Sequence, residues 1–362
     1  MSAVQLREIE KRFASHLVLD SLSLDVRQDE YLVLLGQSGC GKSTTLRVIA
    51  GIESPNGGRV MINAVDVTQW KARKRDVSLM FQGDGLYPHM TIRETLAYPM
   101  RGIISALETD RRIAQAAQRL QLASLLDRRP EKLSGGELRR AGLAKSVVRQ
   151  AAVRLLDEPL SALDGVVRHQ FQQDLIRWHR EIPGTTIHVT HDGDEAMRIA
   201  DRIAVMHAGK IVQVGTPEEI YHHPCCIAVA RSLGSPPMNV LSAPFCRDQL
   251  MSLWPDKFSV NQQNALDDDI LVAIRPEHFA IANDSPAAGM FAVKAVCRWR
   301  QVFGGRCQAR FELANRDTMI GDHVNAILEH DCGVQVGDSV TLQTPRYNVQ
   351  LFRRSGERLE FA

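Results

Sequence analysis

A chain of 362 residues is long enough for two or three domains with cores of their own. Its 44 basic and 42 acidic side chains nearly cancel, and no basic cluster is interleaved with aromatics, so charge gives no indication of a nucleic-acid partner. No apolar run approaches the ~20 residues of a membrane helix, and the N-terminus lacks a secretory pattern; the protein is expected to be soluble and to stay where it is made. Up to about residue 235 the elements alternate as in an α/β fold. Residues 17–26 and 31–35 read as strands, 42–51 as a helix and 58–67 as a hairpin arm. Residues 92–128 carry helical periodicity through Ile92, Leu96, Ile113, Ala117 and Leu120, punctuated by Pro99, Gly102 and Pro130. Further strands are expected at 151–156, 185–190, 203–206 and 210–214, and helices at 136–149 and 165–181.

Gly234-Ser235-Pro236-Pro237 breaks this rhythm. Beyond it the segments are short, alternating and β-rich, such as Ile270-Leu271-Val272-Ala273-Ile274 and Ser339-Val340-Thr341-Leu342, and a separate small β-barrel domain is expected. The division is therefore placed at residue 235, with domains over 1–235 and 236–362. Seven cysteines, an odd count without a C-x-x-C pair, point to reduced thiols.

Gly36-Gln37-Ser38-Gly39-Cys40-Gly41-Lys42-Ser43 follows directly on the apolar run Tyr31–Leu35. A buried strand that ends in a glycine-rich turn and opens into a helix is a phosphate cradle. The glycines let successive backbone N–H groups face an anion, and the helix adds the positive end of its dipole. Lys42 suits the β- and γ-phosphates and the Ser43 hydroxyl suits Mg²⁺. With Thr44 following, these residues are the expected contacts of a nucleoside triphosphate. Cys40, beside a helix N-terminus, is expected to favour the thiolate and to be alkylated readily unless nucleotide covers it.

A second motif, Val153-Arg154-Leu155-Leu156-Asp157-Glu158-Pro159, is a mostly apolar strand ending in two carboxylates. Asp157 would hold Mg²⁺, directly or through water, and Glu158 would act as general base on the attacking water. Arg154 interrupts the apolar run and is expected to snorkel out at a face or edge. A third motif, Leu133-Ser134-Gly135-Gly136-Glu137, repeats the anion-cradle logic at the start of an Arg-rich helix.

With Gln82, Ser161-Ala162-Leu163-Asp164 and His191 in the same order, the chain from Phe13 to about Gly215 resembles the ATP-binding subunit of an ATP-binding-cassette transporter. The resemblance implies an ATP-hydrolysing P-loop domain with a helical subdomain at about 84–150, and ATP and Mg²⁺ as ligands. It also implies residue roles. Phe13 would stack on adenine; Gln82 would touch Mg²⁺ and the attacking water; Ser134, Gly135 and Gly136 would grip the γ-phosphate held by a second subunit. Asp164 would couple the two sites and His191 would hydrogen-bond the γ-phosphate.

Gly85-Leu86-Tyr87-Pro88-His89-Met90-Thr91, Asp192-Gly193-Asp194-Glu195-Ala196-Met197, Gly234-Ser235-Pro236-Pro237-Met238-Asn239, Ile274-Arg275-Pro276-Glu277-His278 and the terminal Leu351-Phe352 with Ser355-Gly356-Glu357-Arg358 are similar to prokaryotic importer subunits serving carbohydrates, polyols and glycerol phosphates. That group implies a C-terminal regulatory barrel of the oligonucleotide-binding type. It implies a head-to-tail pair of cassettes, identical or paralogous, on the cytoplasmic face of the membrane. Its other partners are two membrane-spanning permeases, fed by an extracytoplasmic solute-binding protein. Three departures stand out. Gln37 replaces the usual Pro, Glu137 replaces the usual Gln and is expected to point away from the phosphate, and Gly83-Asp84-Gly85 makes the segment after Gln82 unusually glycine-rich. An importer for polyamines, metal ions or inorganic anions, and a soluble non-transport cassette ATPase, remain alternatives.

Overall fold

The computed structural model describes residues 2–81, 85–161, 163, 165–242, 250, 252–254, 270–282, 289–313 and 323–359. In the first unit, Met1–Ile220, the chain opens with the long strands β1 (Ser2–Phe13) and β2 (His16–Arg27), followed by β3 (Tyr31–Leu35) and α1 (Lys42–Ala50). Next come β4 (Gly57–Ile62), β5 (Val65–Asp66) and β6 (Val77–Met80). A helical stretch follows, with α2 (Ile92–Ala97), α3 (Ala106–Arg119) and α4 (Gly135–Val148). Then β7 (Val153–Asp157), α5 (Gly165–Glu181), β8 (Thr185–Thr190), α6 (Gly193–Ile199), β9 (Arg202–His207) and β10 (Lys210–Gly215) lead to α7 (Pro217–His222).

The strands form an antiparallel sheet in the order β2-β1-β4-β5 and a second sheet in the order β10-β9-β3-β8-β7-β6, parallel except at the β10 edge. Every residue of β3, β7 and β8 is buried. Burial on both faces is what a central parallel strand meets, and only β3 is apolar throughout, since β7 buries Arg154 and Asp157 and β8 buries His188 and three threonines. One core joins the two sheets around α1 through Leu6, Leu24, Leu34, Leu46 and Ile187. Another gathers α2, α3, α4 and α5 around Ile113, Leu143, Leu175 and Trp178. Side-chain caps start those helices: Thr91 for α2, Ser105 for α3 and Ser134 for α4.

Arg154 does not snorkel out. It is 1 % exposed and donates to the carbonyls of Ile182, Pro183 and Gly184 and to the Thr186 hydroxyl. Burial lowers its pKa to about 10, and the carbonyl cage replaces the water a surface position would supply.

The second unit, Tyr221–Ala362, is strand-rich. It holds α8 (Ile227–Ser232), β11 (Asn239–Ser242), β12 (Ile270–Ile274), β13 (Ala280–Ile281), β14 (Met290–Phe303) and β15 (Arg306–Leu313). Then follow β16 (Val324–Glu329), β17 (Ser339–Pro345), β18 (Val349–Arg353) and β19 (Arg358–Leu359). Two antiparallel sheets result, β11-β12-β18-β19 and β13-β17-β14-β15-β16. The unit begins at Tyr221, ahead of the Gly-Ser-Pro-Pro break. The buried Arg275 guanidinium explains this, because it donates to the carbonyls of Tyr221, Ala230 and Leu233 and so fastens the preceding segment to the β-rich core.

Candidate functional site

Strand register brings the candidate residues together. In the parallel sheet Leu35 pairs with Thr190 and Asp157 with Val189, so the segments leaving β3, β7 and β8 start side by side at the carboxyl ends of the strands. Open parallel sheets bind ligands at that edge. More than 100 residues separate β3 from β7 in sequence, yet their ends are neighbours through β8.

The loop from Gly36 to Ser43 is built for close backbone approach. A Cβ on Gly36 would lie 2.4 Å from the Met206 carbonyl oxygen. Gly41 has φ +107°, and a Cβ there would lie 2.7 Å from Met206 Cε and 2.8 Å from Leu19 Cδ2. Gly39 (φ +82°) faces open space. Helix α1 has no side-chain N-cap and no acidic residue in its first turn. Its leading N–H groups are therefore available to an external anion, in contrast to the capped starts of α2, α3 and α4. Lys42 is 5 % exposed; its Nζ donates to the carbonyls of Gly36 (2.8 Å) and Gln37 (2.9 Å), which holds a positive charge within the loop. Gln37, Ser38 and Gly39 are exposed, and Thr44 is half-buried in the first turn of α1.

Cys40 departs from expectation. Burial pushes its thiol pKa up, and the Lys42 charge and backbone N–H groups only partly offset this.

Ser43 Oγ donates to Asp157 Oδ1 at 2.9 Å. Asp157 is 5 % exposed, and its carboxyl pKa is raised by burial first, with the Ser43 hydrogen bond opposing and the Glu158 charge adding. A buried carboxylate joined to a hydroxyl at the rim of a phosphate cradle is a donor set that suits a hard divalent cation such as Mg²⁺. Glu158 has φ +47°, a left-handed conformation uncommon for a residue with a side chain. Its N–H donates to the Val189 carbonyl, and its Oε1 lies 3.1 Å from Nδ1 of the exposed His191. The geometry thus brings Lys42, Ser43, Asp157, Glu158 and His191 to one edge of the sheet.

Arg139 is a residue that the motifs did not single out. It sits on α4, five residues after Ser134, and is 5 % exposed. Its guanidinium donates to the carbonyls of Glu158 (2.6 Å) and Pro159 (2.7 Å) and to Ser161 Oγ (3.0 Å). A run of arginines in a helix reads as a solvated face, so only its position in sequence, with Ser134 and Glu158 flanking it in motif order, could have flagged it.

Ser134 is the N-cap of α4, in a reciprocal capping box with Glu137. The Glu137 carboxylate accepts from Ser134 N–H (2.7 Å) and Oγ–H (2.9 Å), and those two contacts hold its pKa below the usual carboxylate range. Glu137 therefore does not turn away from Ser134; the pull of a helix N-terminus on a carboxylate brings it back. A Cβ on Gly135 would meet nothing within 4 Å, and one on Gly136 would meet only a Val167 methyl at 3.5 Å. Phe13, 43 % exposed at the end of β1, carries Lys11 Nζ 4.8 Å from its ring centroid. Gln82 and Asp164 lie outside the described residues.

The family model described as ABC transporter matches residues 19–161. The chain is 40 % identical over 304 residues to the sulfoquinovosyl glycerol transport ATP-binding protein SmoE of Agrobacterium fabrum, covering 82 % of this chain and 83 % of that one. It is 34 % identical over 367 residues to the maltose/maltodextrin import ATP-binding protein MalK of Photorhabdus laumondii, covering 98 % and 97 %. Among solved structures, cbiO1 of Clostridium perfringens, part of the cbiONQ transporter complex, superposes with a TM-score of 0.57 at 23 % identity. That match covers 61 % of this chain and 91 % of cbiO1 and speaks for the fold. An ATP-binding cassette solved as a dimer in a post-hydrolysis state with ADP and Pi matches with a TM-score of 0.53 at 25 % identity, over 59 % of this chain and 98 % of its own. Identity of this order along nearly the full length, on top of a shared cassette fold, places the chain in the ABC transporter family, among its ATP-binding proteins.

Proposed function

We propose that this ATPase energises import of a sugar, polyol or glycerol phosphate across the cytoplasmic membrane. The relatives named for sulfoquinovosyl glycerol and maltodextrin transport, and others named for sn-glycerol-3-phosphate and for xylose and arabinose, support that solute class. Among the described residues, no helix is long and apolar enough to cross a membrane. Import accordingly needs permease partners, two membrane-spanning subunits with an extracytoplasmic binding protein feeding them, and the cassette docks on their cytoplasmic side as a pair. The second unit is read as a regulatory barrel of the oligonucleotide-binding type, a reading its two antiparallel sheets support.

The observation that carries the reaction is the joined set Ser43–Asp157 and Glu158–His191 at one sheet edge. Lys42 and the N–H groups from Gly39 to Thr44 bind the β- and γ-phosphates. Ser43, Asp157 and Gln82 hold Mg²⁺, which when bound supplies positive charge against the phosphate oxygens. Glu158 accepts the proton of the attacking water as its oxygen bonds to the γ-phosphorus and the bridging oxygen leaves with ADP. His191 hydrogen-bonds the γ-phosphate from the loop after β8, Phe13 stacks on the adenine, and Asp164 couples the paired sites. Ser134, Gly135 and Gly136 close on the γ-phosphate of the partner's site. The direct test is phosphate release by the purified protein reconstituted with its genomically adjacent permeases. Solute-stimulated turnover that disappears in Glu158→Gln is expected, and turnover indifferent to both permease and Glu158 would sink the proposal.

A further inference from the structure

Below the turn that carries His191 runs a buried polar chain that no step above uses. Tyr31 on β3 is 2 % exposed, His188 on β8 is 0 % and Glu195 on α6 is 5 %. Tyr31 Oη lies 2.9 Å from His188 Nδ1, and His188 Nε2 lies 2.7 Å from Glu195 Oε1. Neither Nε2 nor Oε1 has a further hydrogen-bond partner among the described residues. Two lone-pair atoms this close need a proton between them.

Burial pushes the Tyr31 pKa well up, and the Glu195 charge adds to it, so Tyr31 keeps its proton, and the direction of its bond to Nδ1 follows the His188 tautomer. At 2.7 Å the Nε2–H of His188 faces the Glu195 carboxylate. The other oxygen of Glu195 accepts from Thr190 Oγ–H at 3.1 Å. Thr190 Oγ in turn accepts from Asp192 N–H at 3.0 Å, and Asp192 Oδ1 caps α6 by accepting from Glu195 N–H at 3.0 Å. Asp192 Oδ2 also lies 3.6 Å from Arg168 Nη1.

His191 is the residue between Thr190 and Asp192. Thr190 is therefore tied to a buried carboxylate, and Asp192 to the Thr190 hydroxyl and the Glu195 backbone N–H, while the exposed ring of His191 lies beside Glu158. An exposed imidazole on a free turn would sample many orientations, and catalytic groups lose effectiveness when displaced by about an ångström. We infer that Thr190 and Glu195, held by His188 and Tyr31, are positioning residues that fix the His191 imidazole against Glu158. The inference rests on the role proposed for His191 in hydrolysis.

The test compares Thr190→Val, which keeps the branched shape and removes the hydroxyl, with Thr190→Ser, which keeps the hydroxyl. Glu195→Gln serves as the second variant, because one amide oxygen cannot accept from both Thr190 and His188. Each is assayed for MgATP turnover and, with ¹³C-histidine labelling, for the His191 ring signal, after a cooperative melt has confirmed folding. Thr190→Val and Glu195→Gln are expected to lower kcat about 10- to 100-fold with little change in KM, and to move the His191 signal. Thr190→Ser is expected to restore both. Folded Thr190→Val and Glu195→Gln with an unmoved His191 signal would overturn the inference, whatever their turnover, as would an equal loss in Thr190→Ser. A moved signal with unchanged kcat would uphold the positioning and instead refute the role of His191 in hydrolysis.

Discussion

Arg139 Nη2 donates to the carbonyl oxygen of Glu158 at 2.6 Å, so the helix headed by Ser134 is fastened to the backbone that presents the proposed general base. The same guanidinium holds Pro159 and Ser161, and Ser161 Oγ also donates to the Glu158 carbonyl at 2.8 Å. With φ +47° Glu158 sits where side-chain-bearing residues are uncommon, and this conformation persists only if surrounding bonds over-determine it. Arg139 supplies one of those bonds, beside the Ser161 hydroxyl and the Glu158 N–H bond to the Val189 carbonyl.

Arg139→Met is expected to lower stability by about 2–4 kcal/mol, since three charge-assisted contacts go and the carbonyls they served stay buried. It is also expected to reduce kcat far more than it weakens ATP binding, because the phosphate loop is untouched. Arg139→Lys should not rescue it, as a single ammonium cannot reproduce the fork. Urea melts and steady-state ATPase rates check both halves. Parallel losses of nucleotide affinity and kcat would place Arg139 elsewhere in the mechanism.

Glu158→Gln should keep ATP binding and lose turnover by about 10²–10⁴-fold, the usual range for removing a general base. Lys42→Ala should instead weaken binding itself, because its ammonium is the charge held inside the phosphate cradle. Equilibrium binding of a fluorescent ATP analogue beside phosphate-release rates separates the two. Normal release by Glu158→Gln would remove the base assignment, and unchanged affinity in Lys42→Ala would remove the phosphate contact.

The parts of the fold written in local sequence are legible there. Five consecutive apolar residues define β3, and the glycine spacing after it defines the cradle, because both signals lie within about ten residues. The strand β1 was not anticipated. Arg7, Glu8, Glu10, Lys11 and Arg12 interrupt its alternation, and register shifts between Leu6 and Ile9 and between Ile9 and Lys11 break the period of two that marks a half-buried strand. Four buried arginines escape the sequence for one reason, among them Arg275 with its cage of Tyr221, Ala230 and Leu233 carbonyls. Arg75 donates to the carbonyls of Val48, Ile49 and Thr68, Arg154 to those of Ile182 to Gly184, and Arg139 to those of Glu158 and Pro159. Each carbonyl cage exists only after distant segments have folded together, so the charge in the sequence reads as surface.

Cys40 gives a pH-dependent test inside the cradle. Burial raises its thiol pKa, so the thiolate fraction at neutral pH is lower than that of a free cysteine and grows as pH rises. Iodoacetamide labelling of the Cys40 peptide, followed by mass spectrometry, is expected to lag an unfolded control at pH 7 and to gain on it toward pH 10. Bound ATP should slow it further. Labelling faster than the unfolded control at pH 7 would show that Lys42 and the helix N-terminus outweigh burial.

A mixed dimer tests whether the ATP sites are shared between subunits. If each site takes the phosphate loop of one subunit and Ser134-Gly135-Gly136 of the other, homodimers of Lys42→Ala or of Ser134→Arg contain no intact site. A dimer with Lys42→Ala in one subunit and Ser134→Arg in the other gathers both defects into one site and leaves the second whole. In a Glu158→Gln background, which is expected to trap ATP, differently tagged subunits can be co-purified and their occluded nucleotide counted. The mixed dimer should hold about one ATP and each parent little, because a γ-phosphate clamp needs all of its parts. Ser134 makes this sensitive. In the free subunit its N–H and hydroxyl are both committed to Glu137, so gripping a partner's phosphate means exchanging one anion for another at the same donors. Glu137→Gln, which retains the cap without the charge, should therefore let the mixed dimer fill its one intact site at lower ATP concentration and leave the two parents unchanged. Equal trapping in all three dimers would mean that each subunit builds its own site, and the head-to-tail pair would be wrong for this protein.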